Sequence, residues 1–237
     1  MKNEEMISCL REIGLNEFKE KYTLKERPIG EKFKELTVNG VKFNINQYEV
    51  VGVGNISFMD CATPFFQMLT YIVTPFYKDV PMFSSDFILK GNKHDVINEL
   101  YSLVIDKDNA LYKEYLEKFK ENMASCKLQD NEVKPDWCDS YRPTYVNKTG
   151  TDADDEAIIN LFKHNIELLI EYEQKCLKLE GKDMLLAKNN AVSEYVNKLV
   201  EKGGISTNMF KAALGIEQTR EFFTTILFGN ESYKPTN

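Results

Sequence analysis

At 237 residues the chain is long enough for one large domain or two small ones, with room for a sizeable core. Hydrophobic residues make up 43% and charged residues 28%, too apolar a mixture for a disordered chain. The formal net charge of −7 argues against a general nucleic-acid binder, and no run approaches the ~18 apolar residues of a membrane span.

The N-terminal MKNEEMISCLREIG is charged and lacks the apolar centre of a signal peptide, so a reducing cytosol is the expected compartment. Five scattered cysteines without a CxxC, and only two histidines, give no familiar zinc or iron–sulfur spacing. The N-x-S/T matches at Asn55, Asn147 and Asn230 are then coincidental. No Pro/Gly/Ser-rich linker divides the chain, and 1–237 reads as a single domain.

Residues 3–22 place Met6, Ile7, Leu10, Ile13, Leu15 and Phe18 at helical spacing, with acids early, which predicts a first amphipathic helix. Between Glu35 and Ser57 the pattern shortens to alternating runs. Asn39-Gly40 within LTVNGVKFNI predicts a hairpin, followed by YEVVGVGNISF. Gly52-x-Gly54 is not a phosphate loop, because no helix pattern and no third glycine follow it.

Two apolar strands come next, Phe65–Thr74 and Met82–Leu89, joined through Pro75 and Pro81. The second delivers Asp86 between apolar residues. Period-2 alternation puts Asp86 on the face of Met82, Ser84 and Ile88, opposite Phe83, Ser85 and Phe87. A carboxyl beside apolar groups loses hydration, its pKa rises, and it becomes a proton donor near neutral pH. A water-exposed face, or a backbone N–H capped by Asp86, is the bland alternative.

Val96–Ile105 reads as a further strand, and Asn109–Cys126 as an amphipathic helix with Leu111, Tyr115, Leu116, Phe119 and Met123 on one side. PDWCDSYRPTYV suggests a short irregular strand. From Thr149 the longest helix is expected, running to about Leu179 with Thr151 or Asp152 as its cap and His164 in solvent. Another helix spans Met184–Val200 and ends at Gly203-Gly204. A short helix, a break at Gly215 and a Phe-rich final segment follow, and 230–237 reads as a disordered tail. Strands lie mainly in 35–105 and helices in 109–126 and 152–228. Such grouping predicts an α+β fold, a three-layer α/β/α sandwich with a central antiparallel sheet.

The segment TPFYKDVPMFSSDFI resembles the strand pair of the ferredoxin-dependent bilin reductases, in which a proline-rich turn precedes an aspartate. Arg142-Pro143-Thr144 after Trp137 is similar to that family's Arg-Pro-Ser, and ALGIEQTREFFTTILFG to its closing segment, in the same order. The resemblance implies an enzyme that reduces a linear tetrapyrrole such as biliverdin with single electrons from reduced ferredoxin, no bound metal or flavin, and protons from side chains. Asp86 would be the catalytic acid. Arg142, whose planar fork suits a carboxylate, would anchor a propionate, the alternative being a surface or structural ion pair, with Tyr71, Phe83 and Ile88 as further substrate contacts. A non-catalytic bilin- or haem-binding protein on the same fold is the alternative reading.

Two family features are absent. The strand before Asp86 carries no histidine, which leaves Tyr71 or Thr70 as substitute donors. Gly203-Gly204-Ile205-Ser206-Thr207 stands where the family often has a second acid and a lysine, although Lys202 lies near. Docking of an acidic ferredoxin requires a local basic face, either Lys25, Arg27, Lys32 and Lys34 or Lys198, Lys202, Lys211 and Arg220.

Overall fold

The computed structural model describes residues 1–236. In chain order its elements are α1 (Asn3–Lys19), β1 (Leu24–Arg27), α2 (Glu31–Lys34), β2 (Thr37–Val38), β3 (Val41–Lys42), β4 (Asn44–Val50), β5 (Gly54–Ala62), β6 (Gln67–Pro75), β7 (Met82–Lys90) and β8 (Lys93–Tyr101). There follow α3 (Ala110–Ser125), β9 (Gln129–Asp130), β10 (Thr144–Thr151), α4 (Asp155–Lys175), α5 (Lys182–Lys202), α6 (Ile205–Leu214) and α7 (Ile216–Phe222). An antiparallel sheet runs in the order β1-β4-β5-β6-β7-β8-β10-β9, with β2–β3 as a separate hairpin. Sequential strands thus sit beside one another from β4 to β8, as hairpin connections require.

Period-2 alternation divides the sheet into two apolar faces, and each is covered by helices. On one face Phe58, Tyr71, Phe83, Phe87, Val96 and Leu100 meet α1, α3 and α4. On the other, Met59, Met68, Ile72, Met82 and Tyr101 meet α5, α6 and α7. The expected three-layer α/β/α sandwich is the observed one. Short connections hold the layers in register: Asn109 caps α3 by accepting from the Leu111 and Tyr112 amides at 2.9 and 3.2 Å. Asn39 and Gly40, with φ of 52° and 78°, turn the β2–β3 hairpin as their sequence predicts.

Several expectations are corrected. PDWCDSYRPTYV is a 3-10 turn at Trp137–Ser140, and the strand begins only at Thr144. Thr149 lies inside that strand, which runs to Thr151, instead of opening a helix, because Thr149 pairs with Asp95 on β8. Thr151 caps a 3-10 turn, Asp152–Asp154, and α4 starts after it. The flanking strands β1, β9 and β10 lie outside the range in which strands were expected. The supposed tail is not disordered: Asn230–Tyr233 forms a 3-10 turn with both ends buried, while Asn237 lies outside the described residues. Among the described residues no helix is long and apolar enough to cross a membrane.

Candidate functional site

Asp86 sits in the middle of β7, where the register sets it opposite Thr70 of β6 and Ile97 of β8. Its neighbours on that face are Ser84 and Ile88 along the strand, Met68, Thr70 and Ile72 on β6, and Ile97, Glu99 and Tyr101 on β8. The surrounding side chains remove most of its hydration, though part of its surface stays open to a cleft. Burial raises its pKa, the hydrogen bond donated by the Thr70 hydroxyl opposes that, and the nearby Glu99 charge adds to it; the carboxyl ends up at about 7.

The cleft lies between this sheet face and the α5–α6 corner. It encloses about 400 Å³ and continues into a narrower recess of about 140 Å³, the two sharing Asp86, Glu99, Tyr101, Tyr195, Ser206 and Thr207. Such a volume falls within the usual range for small-molecule pockets. One wall is aromatic. The Tyr195 ring packs against Tyr101 at 4.8 Å, Tyr141 at 5.6 Å and Trp137 at 5.8 Å, and the Trp137 indole donates to the Gly203 carbonyl at 2.9 Å. That bond ties the 3-10 turn to the end of α5. Gly203, Gly204, Ser206 and Thr207 face the cleft there.

Glu99 lies diagonally from Asp86, since Ser84 is its partner in the register. It accepts from the Tyr101 hydroxyl at 3.0 Å and from Arg142 Nη1. Arg142 Nη2 reaches Asp139 at 2.5 Å, and the guanidinium stacks 3.7 Å over the Tyr145 ring. The cleft thus brings a protonatable carboxyl, an aromatic wall and a carboxylate–guanidinium pair into one volume.

Asp86, Ile88 and Arg142 all line this cleft. Tyr71 and Phe83 do not, and their assignment as substrate contacts is corrected. Both point to the opposite face, where Tyr71 is fully buried against Phe58 and Phe162 and donates to the Gly14 carbonyl at 3.0 Å. Gly14 makes that contact possible: a Cβ there would stand 2.8 Å from the Tyr71 ring. Tyr71 is therefore no substitute proton donor, whereas Thr70 touches Asp86 directly. Arg142 lines the cleft with its fork already engaged by Glu99 and Asp139, the structural ion pair of the alternative reading.

Sequence reasoning missed Glu99, Tyr101, Tyr195 and the lining by Gly203, Gly204, Ser206 and Thr207 as a site. Alternation puts Ile97, Glu99 and Tyr101 on one face, but only the cross-strand register shows that it is the face of Asp86. His164 is exposed beside Glu167, as expected. Asn55 and Asn230 are buried and hydrogen-bonded inside the fold.

Of the two basic sets, the first is largely neutralised. Arg27 pairs with Glu49 at 3.6 Å, Lys34 with Glu31 at 3.2 Å, and Lys32 with Glu221. In the second, Lys198 pairs with Glu194 at 2.8 Å, while Lys211 and Arg220 donate to neutral oxygens of Val200 and Asn197.

No family model and no curated protein sequence matches the chain. Among solved structures, it is similar to phytochromobilin synthase from tomato, crystallised in complex with biliverdin, with a TM-score of 0.79. The identity is 15%, over 97% of this chain and 85% of the other. At that identity the likeness is one of fold, and it shows that the α/β/α sandwich with its central sheet is shared with a protein crystallised with biliverdin.

Proposed function

We propose that the cleft binds a linear tetrapyrrole and that the protein reduces it with electrons from reduced ferredoxin and a proton from Asp86. The observation that carries this reading is a carboxyl held at about 7 on the floor of a cleft, in a fold shared with a biliverdin complex. An electron added to a conjugated bilin gives a radical anion, a base strong enough to take a proton from a carboxylic acid already in place. A second electron and a second proton complete the saturation of one double bond. Asp86 recovers its proton from water through the open side of the cleft and serves both additions. Tyr195, Tyr101 and Trp137 offer flat apolar surface to the conjugated system.

The test is an anaerobic absorption titration with biliverdin, followed by reduced ferredoxin. A bound spectrum that shifts to the blue on reduction supports the enzyme. One that shifts on binding and then stays constant favours a tetrapyrrole-binding protein. The pairing of Glu99 with Arg142 gives that second reading its support, because it leaves Asp86 as the cleft's one unpaired acid apart from Asp136 at the mouth.

A further inference from the structure

Resting on the tetrapyrrole reading, we propose that the part of the ligand held against Asp86 carries no carboxylate, because Glu99 and Asp139 occupy on Arg142 the positions a ligand carboxylate would take. The charged side chains facing this part of the cleft come from three places. Asp86 is on β7 and Glu99 on β8, and Lys134, Asp136 and Arg142 are on the segment between β9 and β10. The hydroxyls of Ser84, Thr70, Tyr101, Tyr195, Ser206 and Thr207, the Asn147 amide and the Cys138 thiol also line it.

Arg142 is the buried cation of this group, its side chain only 8% exposed. One Nη donates to Glu99 and the other to Asp139, and the plane of the guanidinium is covered by Tyr145. The remaining donor, Nε, is enclosed without a partner. A ligand carboxylate that took over the fork would have to expel Glu99. The expelled group, itself 9% exposed, would be left without its counter-charge beside Asp86, the arrangement that costs most in a low-dielectric site. Lys134 stands exposed at the mouth, where an ion pair in water changes affinity only a few-fold. The acidic side chains of a bilin therefore lie at the mouth or outside, and the buried portion presents pyrrole N–H and lactam groups to Asp86 and Glu99.

The experiment compares biliverdin with its dimethyl ester in absorption titrations of the wild-type protein and of Glu99→Gln. For the wild type the two dissociation constants should agree within about threefold, the range of an exposed pair. In Glu99→Gln, where Arg142 loses one counter-charge and keeps only a neutral amide acceptor that a ligand carboxylate can displace, the free acid should gain about tenfold over the ester, the size of one hydrogen-bonded charge pair. Wild-type binding of the acid tenfold or more tighter than the ester would overturn the inference while leaving the tetrapyrrole reading intact. An unchanged acid-to-ester ratio in Glu99→Gln would also overturn it. Binding of neither compound to the wild type would overturn both.

Discussion

Asp86 draws its proton affinity from burial on an apolar strand face and from the Glu99 charge on one neighbouring strand, against the opposing hydrogen bond from Thr70 on the other. Its folded value of about 7 lies above the ordinary carboxyl value of about 3.9 in an unfolded chain. The stability that goes with its neutral form is thus complete below pH ~4 and is lost as the pH rises through 7. Asp86→Asn, which stays neutral, is expected to be little different from wild type at pH 4. By pH 8 it should be the more stable, by on the order of 1–3 kcal/mol after discounting for the opening to the cleft. Urea unfolding at both pH values checks this, and a difference that does not vary with pH would contradict it. The acid and its face were legible in the alternation of MFSSDFIL. Tyr71 was not excluded by that pattern, since only the pairing of Tyr71 with Ser85 turns it towards α1.

Long apolar elements were readable from their own periodicity, and the short polar segment that closes the chain was not. Segment 230–236 is polar in sequence, yet Tyr233 stacks on Phe76 at 4.5 Å, lies under Arg27 at 4.7 Å and donates to the Gly54 carbonyl at 2.7 Å. One aromatic residue and the buried, hydrogen-bonded Asn230 dock the segment, too weak a signal for any window of composition. Tyr233→Ala should cost about 2–4 kcal/mol, by analogy with other large-to-small core changes. Denaturant unfolding with an unchanged midpoint would refute that docking.

The α5 helix carries a second buried device, Lys188, which donates to the Val80 carbonyl at 2.6 Å and to that of Leu103, so fixing the helix across the ends of β7 and β8. Burial brings its pKa down to about 8, below the ~10.4 of an unfolded lysine. Between these values the unfolded state binds more protons, so wild-type stability should rise with pH from 8 to 10.5 relative to Lys188→Met. Parallel slopes for the two proteins in urea titrations would contradict it.

Across the whole molecule, sheet order follows from hairpin connections between consecutive strands, and the sequence grouping of strands before helices was enough to predict the sandwich. The site was less legible because it forms where β7 and β8 meet α5, α6 and the 136–142 turn, segments brought together by packing alone. Net charge bears on the proposed electron donor. At −7 overall, an acidic ferredoxin must approach through the set around Lys202, Lys211 and Arg220, which is the less neutralised of the two. Replacing these three by glutamine should raise the KM for ferredoxin several-fold and leave biliverdin binding unchanged; equal KM values would place the docking elsewhere.

The most direct test of Asp86 as the proton donor is stopped-flow reduction of bound biliverdin in a single turnover, followed from pH 5.5 to 8.5 in wild type and Asp86→Asn. The wild-type rate is expected to hold below pH ~7 and then to fall towards tenfold per pH unit as the carboxyl ionises. Asp86→Asn should bind biliverdin, take up an electron and accumulate the unprotonated radical. A pH-independent wild-type rate, or product formed by Asp86→Asn as fast as by wild type, would contradict the assignment.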